Sequence, residues 1–271
     1  MTETPRQSPT ARSGTRALAV TFSVLGGCIL ILGGGATAVA AVSDTVRSGQ
    51  VEDGAVSLPV AGIERVKLDV DAGSASVAFG SGSEATLDYS SHSGAWIFER
   101  QGDTLVVSSP DARFSLFDWR RDQSARLTLP DELEGVDLEL DLAAGEIDAA
   151  GIFGDVTYEL SAGMVELEGS ADAIAGDVSA GASVVELADV QTARFDVAAG
   201  DINAHLTGEP PSDVRIGVSA GSVELQLPDV PYDVRTNRAA GDFVSSLEES
   251  TASDRRIDVR IMAGDVALYA G

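Results

Sequence analysis

Residues 136–149 read VDLELDLAAGEIDA, and the rest of the chain repeats the rule this stretch states. Val136, Leu138, Leu140 and Leu142 alternate with Asp137, Glu139 and Asp141, the period-two pattern of a strand with one buried face. At Ala144-Gly145 the phase resets, and the next apolar residue, Ile147, lies three positions beyond the Ala. A reset of three around a Gly describes a corner, where the Gly takes a backbone conformation closed to other residues and the Ala methyl fits a narrow space.

The same corner recurs. Ala-Gly stands at Ala72, Ala144, Ala162, Ala180, Ala199, Ala220, Ala240 and Ala263, and from Ala144 onward the intervals are 18, 18, 19, 21, 20 and 23 residues. The step of three leads to Val165, Ile202, Val223, Phe243 and Val266, with Ser183 as the exception after Ala180. Extra copies at Ala150-Gly151 and Ala175-Gly176 fall between the main series and read as return turns. Each repeat is then strand, corner, strand and return, a unit that cannot bury its own face and must stack on its neighbours. The expected fold is all-β: a parallel β-solenoid of two short sheets with rungs of about 18–23 residues, an irregular sandwich being the alternative. Residues 80–130 break the period and read as an excursion: a hairpin from Trp96 to Val107 turning at Gln101-Gly102-Asp103, an aromatic and Arg-rich segment from Phe114 to Arg121, and a returning strand from Ser124 to Leu129.

Ahead of the repeats, Ala17 to Val42 holds no charged residue. As a helix this run would be ~39 Å long, more than the roughly 30 Å hydrocarbon core requires. Arg6, Arg12 and Arg16 precede it and Asp44 follows, which places residues 1–16 in the cytoplasm and everything after the helix outside. The expected organisation is a cytoplasmic tail (1–16), a transmembrane helix (17–42), a polar tether (43–56) and an extracytoplasmic β-repeat domain (57–271). Cleavage after Ala38-Val39-Ala40, or lipidation at Cys28, would convert the helix into a signal.

Cys28 is the only cysteine and lies in the apolar run, so no disulfide staples the outer domain. The net charge of −25 repels phosphate backbones and anionic head groups, which argues against nucleic acid as a partner and against lipid beyond the chain's own helix. His92 and His205 are the only histidines, too few for a zinc site. Ser219 and Ser222 lack a base placed by sequence. Asp242 and Asp265, each following a corner Gly, should be neighbours in the stack, but Ca²⁺ needs six or more oxygens. No catalytic, cofactor-binding or metal-binding residue is assigned, and no cofactor is expected.

A first rung ending in Asp71-Ala72-Gly73, an aromatic hairpin, the strand Leu127-Thr128-Leu129-Pro130 and tandem Ala-Gly strands together resemble the bacterial putative-adhesin family of β-strand-repeat proteins of unknown function. The resemblance covers about residues 57–271. It implies a β-solenoid-like domain behind one membrane segment and no catalytic residues; some members accompany envelope-stress regulators. The function expected is that of a non-enzymatic binding or structural module of the cell envelope, with an unknown envelope protein or glycan as partner. The alternative is a carbohydrate-active β-helix enzyme, which would need acids such as Asp137, Glu139 and Asp141 to converge in a groove. Two contact surfaces are expected: the segment Phe114 to Arg121, and the edge of the final repeat, Ile257 to Leu268, where self-association would occur.

Overall fold

The computed structural model describes residues 52–110 and 123–271. The segment read as a transmembrane helix, and the aromatic segment Phe114 to Arg121, lie outside the described residues. No helix among the described residues is long and apolar enough to cross a membrane.

Among the described residues the regular structure is all strand apart from one 3-10 turn, Asp131–Leu133. The strands in chain order are β1 (Glu52–Pro59), β2 (Arg65–Val70), β3 (Gly73–Gly80), β4 (Glu84–Ser91), β5 (Ile97–Gln101), β6 (Thr104–Ser108), β7 (Ser124–Pro130), β8 (Val136–Leu142), β9 (Gly145–Leu160), β10 (Gly163–Val178), β11 (Ala182–Ala188), β12 (Thr192–Thr207), β13 (Asp213–Leu227), β14 (Asp233–Arg238), β15 (Asp242–Ser245), β16 (Arg256–Ile261) and β17 (Asp265–Ala270). All belong to one hydrogen-bonded sheet, not two short ones. The sheet is continuous because β9 and β10 bend without breaking at their returns, while β12 and β13 run through their corners.

Stacked repeats pair in parallel and in register, so each corner meets a corner. Gly145 faces Gly73, Gly163 faces Gly145, and Gly221 faces Gly200. Gly145 and Gly163 hold φ of 121° and 120°, and a Cβ on either would strike the backbone of the Gly on the neighbouring rung. The Ala-Gly period therefore records a column of backbones in contact, which only glycine permits. The inward residues three beyond the corner, Ile147, Val165, Ile202, Val223 and Val266, are all buried in one continuous core.

Two of the expected details change. Ala175-Gly176 is not a return turn; it lies within β10, where Gly176 leaves room for the Tyr158 ring on the next rung. Ser183, the exception in the inward series, is buried and donates its hydroxyl to Tyr158 Oη at 3.0 Å. A polar residue replaces an apolar one there because a phenol from the adjacent rung needs a partner.

Rung order departs from chain order at both ends. The pair β6 and β7 stacks on the outer side of β2 and β3 and forms a rung, with β5 extending β6 and β4 extending β7. At the other end β16 and β17 insert between β13 and the earlier pair β14 and β15. The final repeat is therefore internal: Val266 pairs with Val223 on one side and Phe243 on the other. The edge expected there belongs instead to β14 and β15; Glu248 and Ser250 bond the backbone of Tyr232 at its start, while Tyr269 pairs with Gln226. Residues 52–56, read as part of the tether, belong to β1, which pairs antiparallel with β4.

Candidate functional site

The outward residues of the stack form rows across the rungs, and the rows carry the surface chemistry. On the face built by β2, β8, the second halves of β9 and β10 and the first half of β12, Asp69, Asp141, Glu159, Asp177 and Asp196 align in register. Neighbouring strands lie about 4.8 Å apart, so like charges crowd one another. Burial, then the neighbouring Asp141, raises the pKa of Asp69; burial, then Asp196, raises that of Asp177. Lys67 answers this crowding. Its Nζ lies 2.5 Å from Glu139 and 2.7 Å from Asp141. Partial burial opposes its charge, but the two carboxylates outweigh it and hold the ammonium pKa above the usual lysine range. Arg65 pairs with Asp137 at 3.5 Å. Asp137, Glu139 and Asp141, the acids a carbohydrate-active site would need to converge, are thus spread along β8 and engaged with the cations of β2.

The other notable feature of this face lies around β16. Its outward residues, Arg256, Asp258 and Arg260, face Asp213, Arg215 and Gly217 of β13 on one side and Asp233, Arg235 and Asn237 of β14 on the other. Opposite signs meet at every charged pair. Asp233 is buried and takes Arg235 at 2.7 Å and Arg256 at 4.0 Å.

Two depressions mark the outer faces. One, of about 380 Å³, has a floor of Thr157, Ala173, Ala175 and Thr192 flanked by Arg194 and Arg215. The larger, about 720 Å³, lies where the parallel strands β3 and β7 give way to antiparallel β4 and β1. Ser74, Ser76 and Ser124 line its floor, and Asp88, Arg126 and Asp148 stand around it. Short hydroxyl side chains between a guanidinium and carboxylates present donors and acceptors to a ligand laid along the face.

The residues weighed for chemistry do not come together. His205 stands half-buried on the outward side of β12 between Glu186 and Gln226, whereas His92 follows β4 with its Nδ1 enclosed and no hydrogen-bond partner among the described residues. Ser222 donates to Asp201 at 2.5 Å. Asp242 and Asp265 are register neighbours, and the Asp265 carboxylate accepts the Asp242 backbone N–H at 3.0 Å, so this acid serves the corner itself. Among the described residues no three His, Cys, Asp or Glu side chains are grouped to hold a metal ion. Sequence reasoning missed the Asp213, Asp233 and Arg256 arrangement, although the alternating signs were present in the strands.

No protein-family model and no curated protein matches the chain. Among solved structures, a putative cell adhesion protein from Clostridium sporogenes shares 13% identity over 82% of this chain and 100% of its own, with a TM-score of 0.38. A putative adhesin from Bacteroides fragilis shares 14% over 82% and 98%, with a TM-score of 0.47. A putative adhesin from Parabacteroides distasonis shares 12% over 81% and 97%, with a TM-score of 0.42. The chain is similar to these three structures at low identity.

Proposed function

We propose that this chain is an adhesin-like binding module of the bacterial cell envelope, a β-solenoid held at the outer side of the membrane by the apolar segment 17–42. The observation that carries the reading is the in-register stack, which turns single outward residues into long rows and leaves an open, hydroxyl-floored groove at Ser74, Ser76 and Ser124. Such a surface suits the recognition of an extended partner, a protein or a glycan of the envelope. Positive charge before residue 17 and acid after residue 42 support a cytoplasmic N-terminus.

Capture tests the reading. The full-length chain, immobilised and exposed to solubilised envelope, should retain one protein or glycan above background, and Arg126→Glu should lower that retention. Release of reducing sugar from envelope glycans, with no stable capture, would favour the carbohydrate-active alternative and overturn the binding module.

A further inference from the structure

We propose that the groove on the outer face of β3, β7 and β4 binds an uncharged, hydroxyl-rich glycan chain laid across the strands. The inference rests on the binding-module reading and names the ligand of its groove.

In-register pairing builds the groove from rows that cross the strands. Asp53, Ser90, Ser124 and Ser74 stand side by side on β1, β4, β7 and β3. Two residues along each strand a second row runs Asp88, Arg126, Ser76 and Asp148, from β4 to β9. Each step between strands is about 4.8 Å, so a row spans the length of a short oligosaccharide rather than of one sugar ring. The serines are short, and the face sinks between the acids into the depression of about 720 Å³.

The polar groups of this face are not spent within the chain. Arg65, Lys67, Arg194, Arg215 and Arg235 each lie within 3.5 Å of a carboxylate. Arg126 stands opposite Asp88, yet among the described residues it makes no ion pair, and the hydroxyls of Ser74, Ser76, Ser90 and Ser124 make no hydrogen bond. Donors and acceptors are thus left in a fixed array facing out.

The array matches the chemistry of a sugar. Neighbouring hydroxyls of a pyranose donate together to one carboxylate, the Arg fork donates to two sugar oxygens, and a Ser hydroxyl serves in either sense. Asp53, Asp88 and Asp148 against the single Arg126 repel uronic, sulfated or phosphorylated chains, as does the net charge of −25. A polypeptide finds less to hold. The floor strands β3, β7 and β4 are each paired on both sides, so they open no backbone edge to it. The one ring in the lining, Tyr89, lies in the inward phase of β4 and packs against the core, which leaves no outward aromatic anchor. A second copy brings the same excess of acid to an acidic face.

An array of uncharged and anionic oligosaccharides, probed with the labelled full-length chain, tests the assignment. Binding should be saturable and confined to uncharged members, among oligomers of glucose, galactose, mannose and N-acetylglucosamine. Ser76→Tyr fills the floor at an outward strand position that suits Tyr, so it should weaken binding roughly tenfold or more while the thermal unfolding transition stays in place. Asp148→Asn keeps the size and removes the charge of an acceptor, and should weaken binding about tenfold. Binding that survives both variants, binding confined to anionic members, or binding to none overturns the proposal. So does self-association that Ser76→Tyr removes, which would make a second copy the occupant. Treating the envelope with mild periodate, which cleaves vicinal diols, should abolish its capture by the unaltered chain. Capture that persists in full after periodate makes the partner a protein and sinks the glycan assignment while the binding module stands; no capture from untreated envelope removes the module as well.

Discussion

Tyr158 and Ser183 show how much a single side chain reveals and conceals. A Ser in the inward series signals an unusual neighbour, but nothing local says that the neighbour is a Tyr 25 residues earlier, reached across a Gly. Burial, which outweighs the Ser183 hydrogen bond, raises the phenol pKa well above the usual tyrosine range. Tyr158→Phe should destabilise the fold by about 1–3 kcal/mol, because the Ser183 hydroxyl is then left unpaired in the core. Adding Ser183→Ala should restore part of that loss, and urea unfolding of the two single variants and the double variant measures the coupling. Fully additive losses would mean that the hydroxyl finds another partner.

At the scale of elements, the Ala-Gly corners made the repeats and the inward residues legible from sequence. Rung order was not, because alternation and corner glycine are common to every repeat and say nothing about which repeat lies beside which. The signs of the outward residues do discriminate. If β14 lay directly on β13, Asp233 would face Asp213 and Arg235 would face Arg215; inserting β16 replaces both like pairs with opposite ones. At the other end β2 performs the same service, bringing Arg65 and Lys67 against the acids of β8 while the outward residues of β6, Thr104, Val106 and Ser108, need no counter-ion. Reversing β16 with Arg256→Asp, Asp258→Arg and Arg260→Asp should lower Tm by roughly a few degrees. Hydrogen exchange should show the protection of β14 and β15 falling first. Matching reversals on β13 and β14 should restore both; unchanged protection in the triple variant would show that apolar packing alone sets the order.

For the molecule as a whole, the acidic row predicts an unusual response to pH. Asp69 and Asp177 have folded-state pKa values raised above the usual 3.8, so between that value and their folded values the folded chain binds more protons than the unfolded one. Stability therefore rises as pH falls through this window, the opposite of the behaviour of a carboxylate favoured by a salt bridge. Asp177→Asn should stabilise the chain at neutral pH and flatten the rise in stability as pH falls toward 3.8. Urea midpoints across that range provide the check, and an unchanged slope in the variant would remove Asp177 as its source. The sequence announced the acidity but not this row, since Asp69 and Asp141 become neighbours only when the repeats align.

The inverted order of the last two rungs also bears on how the chain can assemble as it is made. Asp233–Ser245 emerges before Arg256–Ala270, yet its place lies beyond that later segment. A stack growing by accretion would halt after β13, because the next rung to appear matches the exposed one poorly and the rung that does match has not been synthesised. Completion then requires the late strands to be seated between the two, a closing of long loops late in the process that slows the final step and holds the nascent chain open until residue 270 is available.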